Sequence, residues 1–123
     1  MVMKMKENKT NIQKINVYIE VNDYKINNIG ESYKEYISCI DNNDNKTEVT
    51  FNTKENILTR TNDDITISID FNQKEIRYHL KKENKTIASN IEVKEIKKQE
   101  KDIKIIYKNE NETFNLKIKY ETI

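Results

Sequence analysis

The sequence predicts an all-β domain: a single antiparallel up-and-down β-barrel of about eight to ten strands, with a two-sheet sandwich as the second choice. Three observations carry that prediction. Apolar residues recur with period two in run after run, the alternation of a strand with one buried face. Polar turn clusters separate the runs at intervals of roughly 8–12 residues. Consecutive runs also match one another as hairpins, and such a meander must close on itself or split into packed sheets. Closure would remove exposed edges in a chain that has no proline to protect them.

Asp64–Lys82 shows the pattern best. Ile65, Ile67, Ile69 and Phe71 alternate with Asp64, Thr66, Ser68 and Asp70, and Ile76, Tyr78 and Leu80 alternate with Glu75, Arg77 and His79. Folded about Asn72-Gln73, the two runs set Ile69 against Ile76, Ile67 against Tyr78 and Ile65 against Leu80. Ser68 then meets Arg77, Thr66 meets His79 and Asp64 meets Lys81. A slip of one residue would oppose every apolar side chain with a polar one, so the register is strongly specified. Asp70 beside Glu75 is the one poor pair, at a small cost if exposed.

Composition agrees with a folded domain that has a thin core. Only 35% of the 123 residues are hydrophobic and 35% are charged, but 22 basic and 21 acidic residues leave a net charge of +1. Disorder usually needs a large net charge as well as low hydrophobicity, and here the apolar residues are periodic. Near-neutrality argues against nucleic-acid or membrane-surface binding. No apolar run approaches the roughly 18 residues of a membrane span. The opening MVMKMKENKTN lacks the apolar core of a secretory signal. Cys39 is the only cysteine, so no internal disulfide can form and a reduced cytoplasmic location is expected. The sequons at Asn8, Asn45, Asn84 and Asn111 are then chance matches in a chain rich in Asn and Thr.

In chain order, residues 1–10 form a flexible N-terminal segment and 11–123 the barrel domain. Ile15, Val17, Ile19 and Val21 mark the first strand. Asp23–Gly30, which holds the only glycine, breaks the alternation, and Glu31–Ile40 is expected as the second strand. Its inward face is open: Tyr33, Glu35, Ile37 and Cys39, or Tyr36, Ser38 and Ile40. Asp41–Lys46 is a turn, where Asn and Asp replace glycine because they tolerate left-handed backbone. Val49, Phe51 and Thr53 form the third strand and Ile57–Arg60 a short fourth, followed by the central hairpin. Beyond the turn Glu83–Lys85, a strand from Ile87 to Val93 sets Ile87 against Leu80 and Ile91 against Ile76. Glu92–Lys108 has helix-favouring composition, but the gap from Ile96 to Ile103 is too wide for a helical stripe. Two strands joined around Lys98–Lys101 are therefore expected. The last hairpin sets Tyr107 against Phe114, Ile105 against Leu116 and Ile103 against Ile118.

With YKEYIS at Tyr33–Ser38, TEVTFNTKENILTR ending at Arg60, the Tyr78 strand, IIYKN around Tyr107 and the closing FNLKIKY at Phe114–Tyr120, the chain resembles the YwiB-like family of uncharacterised bacterial proteins. The resemblance runs from about Ile15 onward and implies a calycin-like, lipocalin-like barrel. It does not supply a molecular function. The family's glycine after the arginine is absent here, where Thr61-Asn62 follow Arg60, its Thr-Pro-x-Gly turn is replaced by His79–Asn84, and its acidic pair by Ile37-Ser38. Many calycin barrels close one end with a buried arginine, and Arg60 is the position the resemblance favours.

Chemistry is sparse. His79, the only histidine, falls on a polar strand face. A zinc site needs several Cys or His ligands, and one of each is present. Cys39 without a nearby base is an inert, half-buried thiol. One glycine cannot build a phosphate loop. Neither Glu35 nor the Asp41–Asp44 turn stands out among the acids, and the mixed run Lys94–Asp102 is a solvated rim. The expected protein is therefore not an enzyme and uses no cofactor or metal. Arg60 and Arg77 stand out where lysine serves most basic positions, since arginine brings a planar donor fork that also stacks on aromatics. Tyr78, Tyr107 and Tyr120 lie on apolar faces, where each hydroxyl needs a partner. The leading reading is a barrel holding a small hydrophobic ligand, with Tyr78, Tyr107, Tyr120 and Arg60 as orienting groups. The alternative is a filled barrel that acts as a structural or protein-interaction module. An empty interior favours the first and a packed one the second.

Overall fold

The computed structural model describes residues 11–123. The N-terminal segment 1–10, including the sequon at Asn8, lies outside the described residues. Eleven strands follow one another: β1 Gln13–Val21, β2 Tyr24–Tyr33, β3 Tyr36–Asp41, β4 Asp44–Asn52, β5 Ile57–Thr61 and β6 Ile65–Asp70. Then come β7 Glu75–Leu80, β8 Lys85–Asn90, β9 Glu92–Gln99, β10 Asp102–Asn109 and β11 Glu112–Thr122. They form one antiparallel sheet in the order β8-β7-β6-β5-β4-β3-β2-β1-β11-β10-β9, curled into a nearly closed up-and-down barrel.

The closure has a simple physical form. Strand directions alternate across the sheet, so β8 and β9, at its two ends, run the same way. Only Ile91 separates them in the chain. One bent strand thus pairs with β7 through its first half and with β10 through its second. At the bend the Ile91 N–H donates to the Lys74 carbonyl at 3.0 Å. Across the seam the ring of Phe71 meets Tyr107 edge-on, with centroids 5.1 Å apart.

Both hairpins on which the sequence reading rested have the expected registers, pair for pair. Elsewhere strand bounds and one register differ. Glu31–Ile40 is not one strand: a tight turn at Lys34-Glu35 divides it, and the preceding strand reaches back to Tyr24. Ile37 and Cys39 point inward, as the first of the two alternatives had it, while Tyr36 and Ile40 are exposed; Tyr33, which that alternative also turned inward, pairs with Tyr36 on the outward face. The strand after the central hairpin is offset by two residues, with Tyr78 opposite Ile87 and Leu80 opposite Lys85. The faces are unchanged, because an even shift preserves the alternation.

The turns also depart from expectation. Left-handed backbone occurs at Asn22, Lys34, Asn56, Lys74, Asn84, Lys101 and Glu110, and none of these lies in Asp41–Lys46. Asparagine accounts for three of the seven. For the lysines and the glutamate, the Cβ–carbonyl crowding costs on the order of 1 kcal/mol each.

The interior is solid through most of its length. Phe51, Phe71, Ile105, Leu116 and Ile118 are essentially inaccessible, and Ile15, Val17 and Ile19 of β1 pack among them. Gly30 lies inside β2 opposite Cys39, where a Cβ would come within 2.1 Å of the Ser38 carbonyl oxygen. Only glycine lets β2 approach β3 so closely.

Candidate functional site

The packed core stops short of one barrel end. There the inward faces of β1, β2, β5, β6, β10 and β11 surround a cavity of about 420 Å³ that opens to solvent. Leu58, Ile67 and Ile69 form one apolar wall and Val21 and Phe114 the other, with Tyr107 between them and Tyr24, Arg60 and, from the β1–β2 turn, Asn22 as the polar groups. Alternation explains the lining: each of the strand residues among these continues the inward register of its strand. Tyr107 stacks on Phe114 at 5.0 Å between centroids.

Arg60 is held by a buried carboxylate. Asp41 ends β3 on its inward face, and its side chain has no exposed surface. The Arg60 Nη1 donates to Asp41 Oδ2 at 2.8 Å, the Tyr24 hydroxyl donates to the same oxygen, and the Asn43 N–H donates to Oδ1 at 2.8 Å. The guanidinium also lies over the Tyr24 ring, 5.5 Å from its centroid, a cation–π arrangement. Burial alone would raise the Asp41 pKa, but the bonds from Tyr24, Asn43 and Arg60 outweigh it and hold the carboxyl below its ordinary value. Burial would likewise lower the Arg60 pKa, and the bonds to Asp41 and Tyr24 reverse that. The cluster is thus an ionised pair that ties three strand ends together at the cavity rim.

The pair has a pH signature. Because the folded pKa of Asp41 is depressed, its contribution is fully present above the unfolded value near 3.8 and is lost as pH falls through the lower folded value. Asp41→Asn is expected to cost roughly 1–3 kcal/mol at neutral pH. It should also flatten the decline of stability as pH falls below the unfolded value near 3.8. Urea melts of both proteins at several pH values measure this; parallel curves would leave Asp41 without the assigned role.

The expected site residues divide. Arg60 and Tyr107 share the cavity. Tyr78 is partly buried against the core and lies close to Tyr107. Burial first, and then Tyr78 and Glu112, push the Tyr107 hydroxyl up to about 12. Tyr120 is elsewhere: it lines a separate, more polar depression with Asn27, Lys101 and Asp102. Tyr24 and Asp41 are the additions. Asp41 carried a signal, since it continues the alternation of Ile37 and Cys39 and so puts a carboxylate on an inward face.

The remaining candidates show no reactive arrangement. Burial, with smaller contributions from Asp41 and Glu48, pushes the Cys39 thiol up to about 11, so it stays protonated at neutral pH. His79 Nδ1 is 2.9 Å from the Thr86 hydroxyl across the β7–β8 ladder. Arg77 is paired with Glu75 on the exposed surface at 2.5 Å. Among the described residues, no three His, Cys, Asp or Glu side chains are grouped to hold a metal ion, and no helix is long and apolar enough to cross a membrane. No protein-family model matches the chain, and no curated protein or solved structure matches it.

Proposed function

We propose that this barrel binds a small, predominantly apolar molecule in the cavity at its open end, as a binding protein rather than an enzyme. The observation that carries the reading is the cavity itself: apolar walls, an entrance to solvent, and the polar side chains of Asn22, Tyr24 and Arg60 at its rim. A cavity of about 420 Å³ falls in the range typical of small-molecule sites. The surrounding strands are held by the Asp41–Arg60 pair and by a rigid core, so the pocket is largely formed in advance. Tyr107 lines it, and its hydroxyl makes no hydrogen bond among the described residues. A ligand acceptor would complete it.

The likeness to YwiB-like, calycin-type barrels belongs to the same proposal, supported by the strand order and by an arginine at the barrel mouth. A cytoplasmic setting is proposed from the single, unpaired Cys39.

Isothermal titration of delipidated protein with fatty-acid-like and aromatic probes tests the proposal. Saturable heat is expected, and Tyr107→Phe should weaken binding roughly two- to tenfold, the worth of one hydrogen bond, without lowering the melting temperature. Absence of heat from every probe would favour the alternative of a structural or protein-interaction module.

A further inference from the structure

The β8 strand, Lys85–Asn90, has a ladder on one side only, with β7. All six of its residues are exposed. Which backbone groups it leaves open follows from the register. Peptide groups alternate sides along a strand. The Lys81 N–H donates to the Asp64 carbonyl, on the β6 side. The peptide groups of Ile76, Tyr78 and Leu80 therefore turn toward β8, where their partners are Ser89, Ile87 and Lys85. The bond from the Ile91 N–H to Lys74 continues the same side. The N–H and C=O groups of Thr86, Ala88 and Asn90 are left facing outward.

This edge lacks the usual protection against pairing. From Thr86 to Asn90 it carries no charge and no proline, and its register with β7 has no bulge. The other free edge, on β9, differs in charge and in having a register shift in its ladder with β10. It carries Lys94, Glu95, Lys97 and Lys98, and the Lys98 ammonium reaches across to the Thr53 carbonyl. Charge of that kind keeps natural edges from pairing.

We infer that β8 docks a second copy of this chain, edge to edge and antiparallel about a two-fold axis at Ala88. That register uses every outward group: Ala88 meets Ala88, and Thr86 meets Asn90 twice, giving six backbone hydrogen bonds. Ile87, 48% exposed in the single chain, then lies opposite Ser89 of the other copy. The two Lys85 side chains fall at opposite ends of the junction, so no like charges face each other. Tyr78 and Leu80, beside Ile87 on the same face, become part of a sheet that runs through both copies. The junction is short of a standard interface, so dissociation falls in the micromolar range or weaker.

Sedimentation of the full chain over a concentration series tests this. A reversible dimer is expected, and Ala88→Pro should raise its dissociation constant about tenfold or more. The proline removes only an outward N–H, so the β7 ladder and the circular dichroism should be retained. If that variant misfolds, Ala88→Glu and Ala88→Lys decide: each alone should be monomeric, because like charges meet at the axis, and their mixture should restore a dimer. A wild-type chain still monomeric near 1 mM, or a dimer that both charge variants leave intact, overturns the inference.

Discussion

Gly30→Ala is expected to destabilise the protein by roughly 3 kcal/mol or more, at the upper end of what overpacking costs. The reason is local. A methyl group at this position would lie 2.1 Å from the Ser38 carbonyl oxygen and 2.8 Å from the Cys39 Cβ. The first obstacle is backbone, which cannot swing aside as a long side chain can. The strands β2 and β3 would have to separate, and their ladder runs only from Gly30–Cys39 to Tyr33–Tyr36. Nor is the damage confined to that ladder, because β3 ends at Asp41, which holds Arg60. Ser32→Ala, two residues along the same face, should stay within about 0.5 kcal/mol of wild type. Urea denaturation of the three proteins makes the comparison, and equal midpoints for Gly30→Ala and wild type would show that the two strands are not held at this distance.

Ile105→Asp should prevent folding, while Lys104→Asp should be neutral or slightly stabilising. Ile105 has no exposed surface and pairs with Leu116 on one side and Ile96 on the other. A carboxylate there finds no partner, and its desolvation costs several kcal/mol, comparable with the roughly 5–15 kcal/mol that a domain of this size has in total. Lys104 points outward between Lys117 and Lys97. Reversing its charge replaces two like-charge neighbours by two attractive ones, each worth a few tenths of a kcal/mol and up to about 1. Circular dichroism and thermal melts read both outcomes. Similar losses for the two variants would mean that the inward and outward faces of β10 are misassigned.

These neighbours also show why parts of the fold could be read from sequence. In β6, β7, β10 and β11 the inward residues are Ile, Leu, Tyr and Phe, so period two is visible without any structure. In β2 the inward positions are Ile26, Asn28, Gly30 and Ser32, while Ile29 points out and is 59% exposed. The period is intact but the chemistry is inverted, and only the end of the strand, from Glu31, is legible in the sequence. The turn after it uses Lys34 in left-handed conformation, with none of the Gly, Asn or Asp that announces a turn. The site was half legible for a similar reason. Arg60 and Tyr107 attract notice as residue types, but the grouping of Tyr24, Asp41 and Arg60 depends on three turns meeting at one barrel end. Tyr120 illustrates the converse: sharing the inward register with Tyr107 says nothing about which end of the barrel a residue occupies.

The ring of strands also bears on how the chain finds its fold. Nine of its ten ladders join strands adjacent in sequence; the tenth joins β1 to β11. Neighbouring strands pair across short turns, at little cost in chain entropy. Bringing β11 to β1 closes a loop of about a hundred residues, which costs roughly 4 kcal/mol by the logarithmic scaling of loop closure. The residues that meet there are Val17 with Tyr120, Ile19 with Ile118, and Val21 with Leu116. Four of these six are at most 4% exposed. The largest entropic cost of the topology is thus matched by a deeply buried apolar ladder, and a one-residue slip in it would turn that whole ladder outward.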